Sequence, residues 1–276
     1  MKEPDTKFYI ESVSYRSFKE LCDACRSQMK IGMSFGSPGI GKTSACFRYA
    51  HWPLVEANLR VRNGVPIEPE KLSVCDVLYF KPSITASPTR MRTEITILKN
   101  NFHDAKMRVL ESSEEWAAAR QAKQVDLIII DEAHRLRYAA LEEFRDLQEE
   151  WEAGMVLIGD PGMERALARM FHFSDRVRYI EKFEPLVEEE IVLYIDKQTE
   201  IMSLPKPPDE VYALISEYSR GNPRKLGHLF ALIDRLLKIN DDLVDSLTSE
   251  VVETARGMML TRTGRLETLT ELASAV

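Results

Sequence analysis

At 276 residues the chain is long enough to bury a real core, as one large domain or two smaller ones on a prior of roughly 100 to 200 residues per domain. Its 44% apolar and 29% charged residues fit an ordinary globular protein, and a net charge of −7 argues against a surface that coats nucleic acid everywhere, so any polyanion must be met by a local patch. The first residues lack the layout of a signal peptide and no apolar run approaches the ~20 residues that span a bilayer, so a cytoplasmic protein without membrane contact is expected.

In chain order, Phe18, Leu21, Cys22 and Cys25 recur at three- and four-residue steps and predict an amphipathic helix over 14–28. A strand is expected at Ile31 to Phe35, followed by a Gly/Pro-rich loop that runs into a helix near Lys42. The stretch His51 to Ser73 carries Pro53, Gly64, Pro66 and Pro69 and is read as an irregular or hairpin-like insertion. Val77 to Phe80 reads as a strand, Pro88 opens a helix bearing Met91, Ile95 and Leu98, and a further helix is expected over Glu114 to Lys123. The run Val-Asp-Leu-Ile-Ile-Ile at 125–130, apolar but for Asp126, has the character of a central parallel strand covered on both faces. Beyond it are expected a helix over Tyr138 to Glu152, a strand at Met155 to Ile158, a helix from Met163 to Met170 and a strand near Val177 to Ile180.

Strands alternating with helices predict a parallel sheet in a three-layer α/β domain spanning 1–184. From about Pro185 helical periodicity takes over through 188–202, 209–218, 224–239 and 247–258, which marks a small all-helical domain over 185–258, with 259–276 as a tail. Cys22, Cys25, Cys46 and Cys75 lack the second pair or His cluster of a zinc site and are expected as reduced thiols on buried helix faces.

Gly36-Ser37-Pro38-Gly39-Ile40-Gly41-Lys42-Thr43, continued by Ser44, satisfies the phosphate-binding pattern G-x-x-x-x-G-K-[ST] between a strand and a helix. The glycines let successive backbone N–H groups turn toward phosphates, and the helix N-terminus adds partial positive charge. Lys42 is expected to reach the β- and γ-phosphates of ATP and the Thr43 hydroxyl to ligate Mg²⁺. Asp131 ends the apolar strand, where a carboxylate needs a positive or hydrogen-bonding partner, and that Mg²⁺ is the natural one. Glu132 is then placed to polarise the attacking water as general base; the alternative is that the two acids cap the next helix. Residues 131–134 also spell the Asp-Glu-Ala-His box of a helicase class, but a short helical bundle follows where a second lobe would be required.

The order of these motifs, with Asp160 ending the next strand, Arg176 before the last strand and Gly221-Asn222-Pro223-Arg224 opening a later helix, resembles the AAA+ ATPases over roughly residues 8–258. More narrowly, the opening Phe8 to Thr43 and the compact layout are similar to transposition regulators of the TnsC, TniB and MuB type. The resemblance implies that Asp160 holds the sensor-1 position, although a carboxylate departs from the usual Asn, Thr or Ser and capping of the following helix is an equal alternative. It implies that Arg176 or Arg178 is the arginine finger offered to a neighbouring subunit, against a surface salt bridge with Asp175 or Glu181, and that Arg224 is sensor 2.

Residues 81–108 hold Lys81, Arg90, Arg92, Lys99, Lys106 and Arg108 against Glu94 and Asp104, a net of +4 in an acidic chain. Such side chains contact phosphates with little sequence information, and in the resembling regulators this segment follows the DNA backbone, so Lys81, Arg90 and Arg92 are the candidates. A solvated helix face with Arg90 paired to Glu94 is the alternative. The resulting expectation is an ATPase that assembles head to tail on double-stranded DNA as a ring or helical filament and recruits a transposase and targeting proteins. A replication-type initiator or helicase loader, and a nucleotide-switched scaffold that never touches DNA, are the competing classes. The tail, with Leu266, Leu269 and Leu272 at helical spacing, is the expected docking element for a partner.

Overall fold

A computed structural model describes residues 9–61, 66–110, 124–239 and 246–262. In the N-terminal part, helix α1 (Val13–Gln28) starts where the Ser12 hydroxyl accepts from the Tyr15 N–H at 3.1 Å and ends at Met29 in the left-handed region. It buries Phe18, Leu21, Cys22 and Cys25. Strand β1 (Ile31–Phe35) lies so close beneath that a Cβ on Gly32 would sit 2.4 Å from the Cys25 Sγ.

Helix α2 (Lys42–Tyr49) is followed by α3 (Trp52–Arg60), α4 (Pro69–Ser73), β2 (Val77–Phe80), α5 (Pro88–Leu110) and β3 (Leu127–Ile130). After a 3₁₀ turn at Ala133–Arg135 come α6 (Tyr138–Glu150), β4 (Gly154–Gly159), α7 (Met163–Ala168), α8 (Phe171–Ser174) and β5 (Val177–Lys182). The five strands form one sheet in the order β2-β3-β4-β1-β5, every pairing parallel, which is the α/β parallel-sheet architecture with helices between strands. Because Phe80 pairs with Ile130, Ile130 with Leu157, and Phe35 with Gly159, the residues that follow β2, β3, β4 and β1 emerge at one edge. Strand β1 sits between β4 and β5, and a crevice beyond the carboxyl ends at such a crossover is where open α/β sheets bind ligands.

Contacts divide the chain into two compact units, one of Met1–Pro38 with Lys42–Glu184, the other of Gly39–Gly41 with Pro185–Val276. The second unit carries helices α9 (Glu188–Ile201), α10 (Asp209–Ser219), α11 (Pro223–Ile239) and α12 (Ser249–Arg262). On α11, Leu226, Leu229, Phe230 and Ile233 recur at helical spacing and bury against Ile195, Val211, Ile215 and Val252.

The irregular or hairpin-like insertion expected over 51–73 carries two helices among its described residues, Trp52–Arg60 and Pro69–Ser73. Pro53 and Pro69 fall in the first turns of α3 and α4, where a missing N–H costs nothing, so these prolines start helices and do not break them. The buried Asn58 side chain then fixes the connection, donating to the Leu54 and Ile67 carbonyls at 2.9 and 3.0 Å and accepting from the Ile67 N–H at 2.8 Å. The helix expected from Met163 to Met170 stops at Ala168 and restarts at Phe171. The helix expected over 114–123 and the tail beyond 262 lie outside the described residues. All four cysteines are free and buried, and burial pushes the Cys25 thiol up to about 12. Among the described residues no helix is long and apolar enough to cross a membrane.

Candidate active site

The loop after β1 turns through two left-handed glycines, Gly39 at φ +83° and Gly41 at φ +104°, a region L side chains rarely adopt. The Gly36 N–H is tied to the Gly159 carbonyl at 3.2 Å, which fixes the loop's entry against β4. Lys42, at the first residue of α2, folds its ammonium back over the loop. It donates to the Gly36 carbonyl, to the Ser37 carbonyl at 3.0 Å and to Asp160 Oδ1 at 3.1 Å.

Asp131, 3% exposed, follows β3 and is held on three sides. Its Oδ2 accepts from the Thr43 hydroxyl at 2.9 Å and from the Tyr79 hydroxyl at 2.7 Å, and its Oδ1 accepts from the Glu132 N–H at 2.8 Å. A buried carboxylate carries its charge only when so satisfied. Thr43 spends its one proton on Asp131, so its oxygen lone pairs are free to meet a cation. An all-oxygen donor set of one hydroxyl and one carboxylate suits Mg²⁺, which keeps most of its water and takes phosphate oxygens. These two residues would hold the ion, which when bound would supply positive charge to neutralise the charge developing on the phosphates.

Glu132 occupies φ +58°, uncommon for a non-glycine residue and a form of local strain typical of active sites. Its carboxylate is met by Arg135 at 2.9 Å, Lys81 at 3.3 Å and His134 Nε2 at 3.7 Å. His134 is anchored across the end of β4: its Nδ1 accepts from the Asp160 N–H at 3.3 Å, and a Cβ on Gly159 would lie 3.1 Å from the His134 Cβ. Lys42, Thr43, Asp131, Glu132 and Asp160 are therefore gathered at one edge, and neither capping alternative is found. The Asp160 side chain faces Lys42 while Gly162 precedes helix α7, and Glu132, although it stands at the N-terminal cap of the 3₁₀ turn Ala133–Arg135, makes no side-chain cap hydrogen bond.

Reading the sequence missed Tyr79 and His134, and gave Lys81 to DNA alone. A phenol inside the apolar run 77–80 was the available signal, since a buried tyrosine hydroxyl requires an acceptor. Tyr79 on β2 and Lys81 just beyond its end meet the consecutive acids Asp131 and Glu132, which follow the neighbouring strand.

The remaining candidates sit elsewhere. Arg176 pairs with Glu149, not with Asp175 or Glu181, and together with Arg178 lines a small cavity beside Lys30 and Gln148. Ile31 pairs with Val177, so both arginines lie near the amino end of β1, about 15 Å along the strand from the loop that follows Phe35. Within the second unit, the Arg224 N–H donates to the Gly39 carbonyl at 3.1 Å, and Asn222 Oδ1 lies 2.9 Å from a Cβ built on Gly39.

The basic segment is largely paired. Arg90 donates to Glu94 at 2.8 Å, and Arg92 reaches Glu143 at 3.4 Å and also Glu150 on α6. Lys99 lies 4.4 Å over the Trp151 ring. Lys106 turns inward to the Cys75 carbonyl, where burial lowers its ammonium below the ordinary range, and Arg108 donates to the Asn58 carbonyl at 3.1 Å.

The AAA domain family matches residues 25–167. A potential ATP-binding protein of Staphylococcus aureus is 29% identical over 265 residues, 91% of this chain and 96% of the relative. The DNA transposition protein B of a Mu-like prophage, FluMu, in Haemophilus influenzae is 28% identical over 156 residues, 55% of this chain and 45% of that protein. Among solved structures, the Holliday junction branch migration motor RuvB of Thermotoga maritima superposes with a TM-score of 0.55 at 16% identity, covering 89% of this chain and 68% of that one. The ORC1 protein of Aeropyrum pernix in complex with DNA gives a TM-score of 0.59 at 14% identity, covering 93% and 68%. At such identities the likeness shows the fold.

Proposed function

The chain belongs to the AAA domain family and is a P-loop ATPase, and on that premise we propose that it is an ATP-dependent DNA-binding protein that assembles on duplex DNA and regulates transposition by recruiting a transposase. In this reading Gly36 to Ser44 cradle the triphosphate, Lys42 meets the β- and γ-phosphates, Thr43 and Asp131 hold Mg²⁺, and Glu132 takes the proton of the attacking water. Asp160, paired with Lys42, takes the sensor-1 role, and Arg224 takes the sensor-2 role. Arg176 and Arg178 act on a neighbouring copy, a role that their distance along β1 from their own loop favours. Head-to-tail contacts that do not close into a ring give filaments.

The observation that carries the DNA reading is the ion pair between Lys81 and Glu132. Lys81 opens the basic segment, and Glu132 is the base of the reaction. A DNA phosphate that takes Lys81 removes one of the cations restraining Glu132, so DNA stimulates hydrolysis. The relative named as a DNA transposition protein supports transposition as the setting. Arg90 and Arg92 supply further phosphate contacts once DNA replaces their carboxylate partners.

A replication-type initiator is the second reading, favoured by the fold shared with the ORC1 protein. Imaging the purified protein on duplex DNA with a non-hydrolysable ATP analogue separates the two. Continuous helical filaments are expected from the transposition reading; isolated rings or single particles favour the initiator, and bare DNA removes both.

A further inference from the structure

Strand β2 contributes four buried residues, yet the third is a tyrosine, and a phenol enclosed at 5% exposure must find an acceptor. The register supplies one. Tyr79 pairs with Ile129 on β3, so its side chain lies on the face that carries Asp131 two residues further along. The hydroxyl closes on Asp131 Oδ2 at 2.7 Å, inside hydrogen-bonding range and from the side opposite the main chain that binds Oδ1.

The ring cannot swing away. Phe47 of α2 meets it edge-on at 4.8 Å between centroids, and Trp52 of α3 lies at 5.5 Å. Both neighbours come from the chain that leaves the phosphate loop, so the packing that seats α2, and with it Thr43, also aims the phenol.

We propose that Tyr79 is a positioning residue for Asp131, fixing the carboxylate so that Oδ2 holds the Thr43 hydroxyl with its lone pairs turned toward Mg²⁺, and thereby setting how tightly the ion is retained with ATP. The proposal rests on the reading of Asp131 and Thr43 as the magnesium site. Without the phenol, Oδ2 keeps a single donor and the carboxylate rotates about its own bond to satisfy its second lone pair. Partners of metal ligands of this kind change metal affinity by about 10- to 100-fold when removed.

The test is Tyr79→Phe, which deletes one oxygen and keeps the ring. Binding of a fluorescent ATP analogue is titrated with Mg²⁺ and compared with binding in EDTA. The expected result is a magnesium half-saturation raised about tenfold, with affinity in EDTA and the far-UV spectrum unchanged. Two companion variants make each outcome decisive. If Asp131→Asn leaves the magnesium half-saturation where it was, the metal site itself is misassigned. If Asp131→Asn raises it and Tyr79→Phe stays within twofold of the parent, the metal site stands and the role of Tyr79 is overturned. Phe47→Leu loosens the same packing while keeping the hydroxyl. A shift as large as that of Tyr79→Phe would assign the effect to packing and defeat the proposal; an unmoved half-saturation upholds it.

Discussion

The pocket at the carboxyl edge of the sheet and the basic segment 81–108 are both rich in charge, and they organise it in opposite ways. In the pocket Lys42 meets Asp160, which follows β4, and Asp131, which follows β3, meets Thr43 of α2 and Tyr79 of β2. These partners are far apart in sequence, and Asp131 and Tyr79 are buried. In the segment, Arg90 pairs within its own helix at 71% exposure, and Arg92 pairs across to α6 at 34%. Pairs of the first sort fix a geometry for chemistry. Pairs of the second sort are weak and exchangeable, which suits a surface that trades carboxylates for phosphates.

The comparison breaks most easily in the pocket. Lys42→Ala is expected to remove both nucleotide binding and hydrolysis, and Glu132→Gln to lower phosphate release at least about a hundredfold while ATP is still bound. Steady-state phosphate release beside analogue binding checks this, and hydrolysis near the parent rate in Glu132→Gln would take the general base away from that residue. In the segment, Arg90→Ala with Arg92→Ala should abolish retention of duplex DNA in ATP at moderate salt while nucleotide affinity stays within twofold. The slope of log affinity against log salt, measured where binding persists, should fall by about two. DNA retention that survives the double change removes these residues from the interface.

Stability supplies the smaller effects. Arg92→Ala loses its bridge to α6 and should cost about 1 kcal/mol or less, since the pairs are partly solvated. Arg90→Ala should cost only a few tenths of a kcal/mol, the usual worth of an exposed pair one helical turn apart. Urea denaturation resolves the first; a loss beyond about 2 kcal/mol would show that Arg92 is built into the fold and not exchangeable.

Much of the pocket was legible because its residues occur at fixed spacings: glycines where the main chain turns left-handed, a lysine and threonine at a helix start, two acids ending an apolar strand. Tyr79 was not legible because its partner lies on a neighbouring strand, and only the register of β2 against β3 brings the two together. The prolines of 51–73 misled because proline interrupts a helix interior but suits a helix start, and the sequence alone left open which applied. The net charge of 81–108 likewise tells only part of what surrounds the segment. A sum over neighbours in sequence omits Glu143 and Glu150, which approach from α6, and omits the inward turn of Lys106 and Arg108.

The claim that nucleotide in the pocket governs DNA at the segment is tested most directly by following labelled duplex DNA on the Glu132→Gln variant in ATP with Mg²⁺, in ADP and without nucleotide. Stable retention in ATP, outlasting that of the parent protein, with release in ADP and none held without nucleotide, is the predicted result. Equal retention in all three states would contradict the coupling, whatever the pocket hydrolyses.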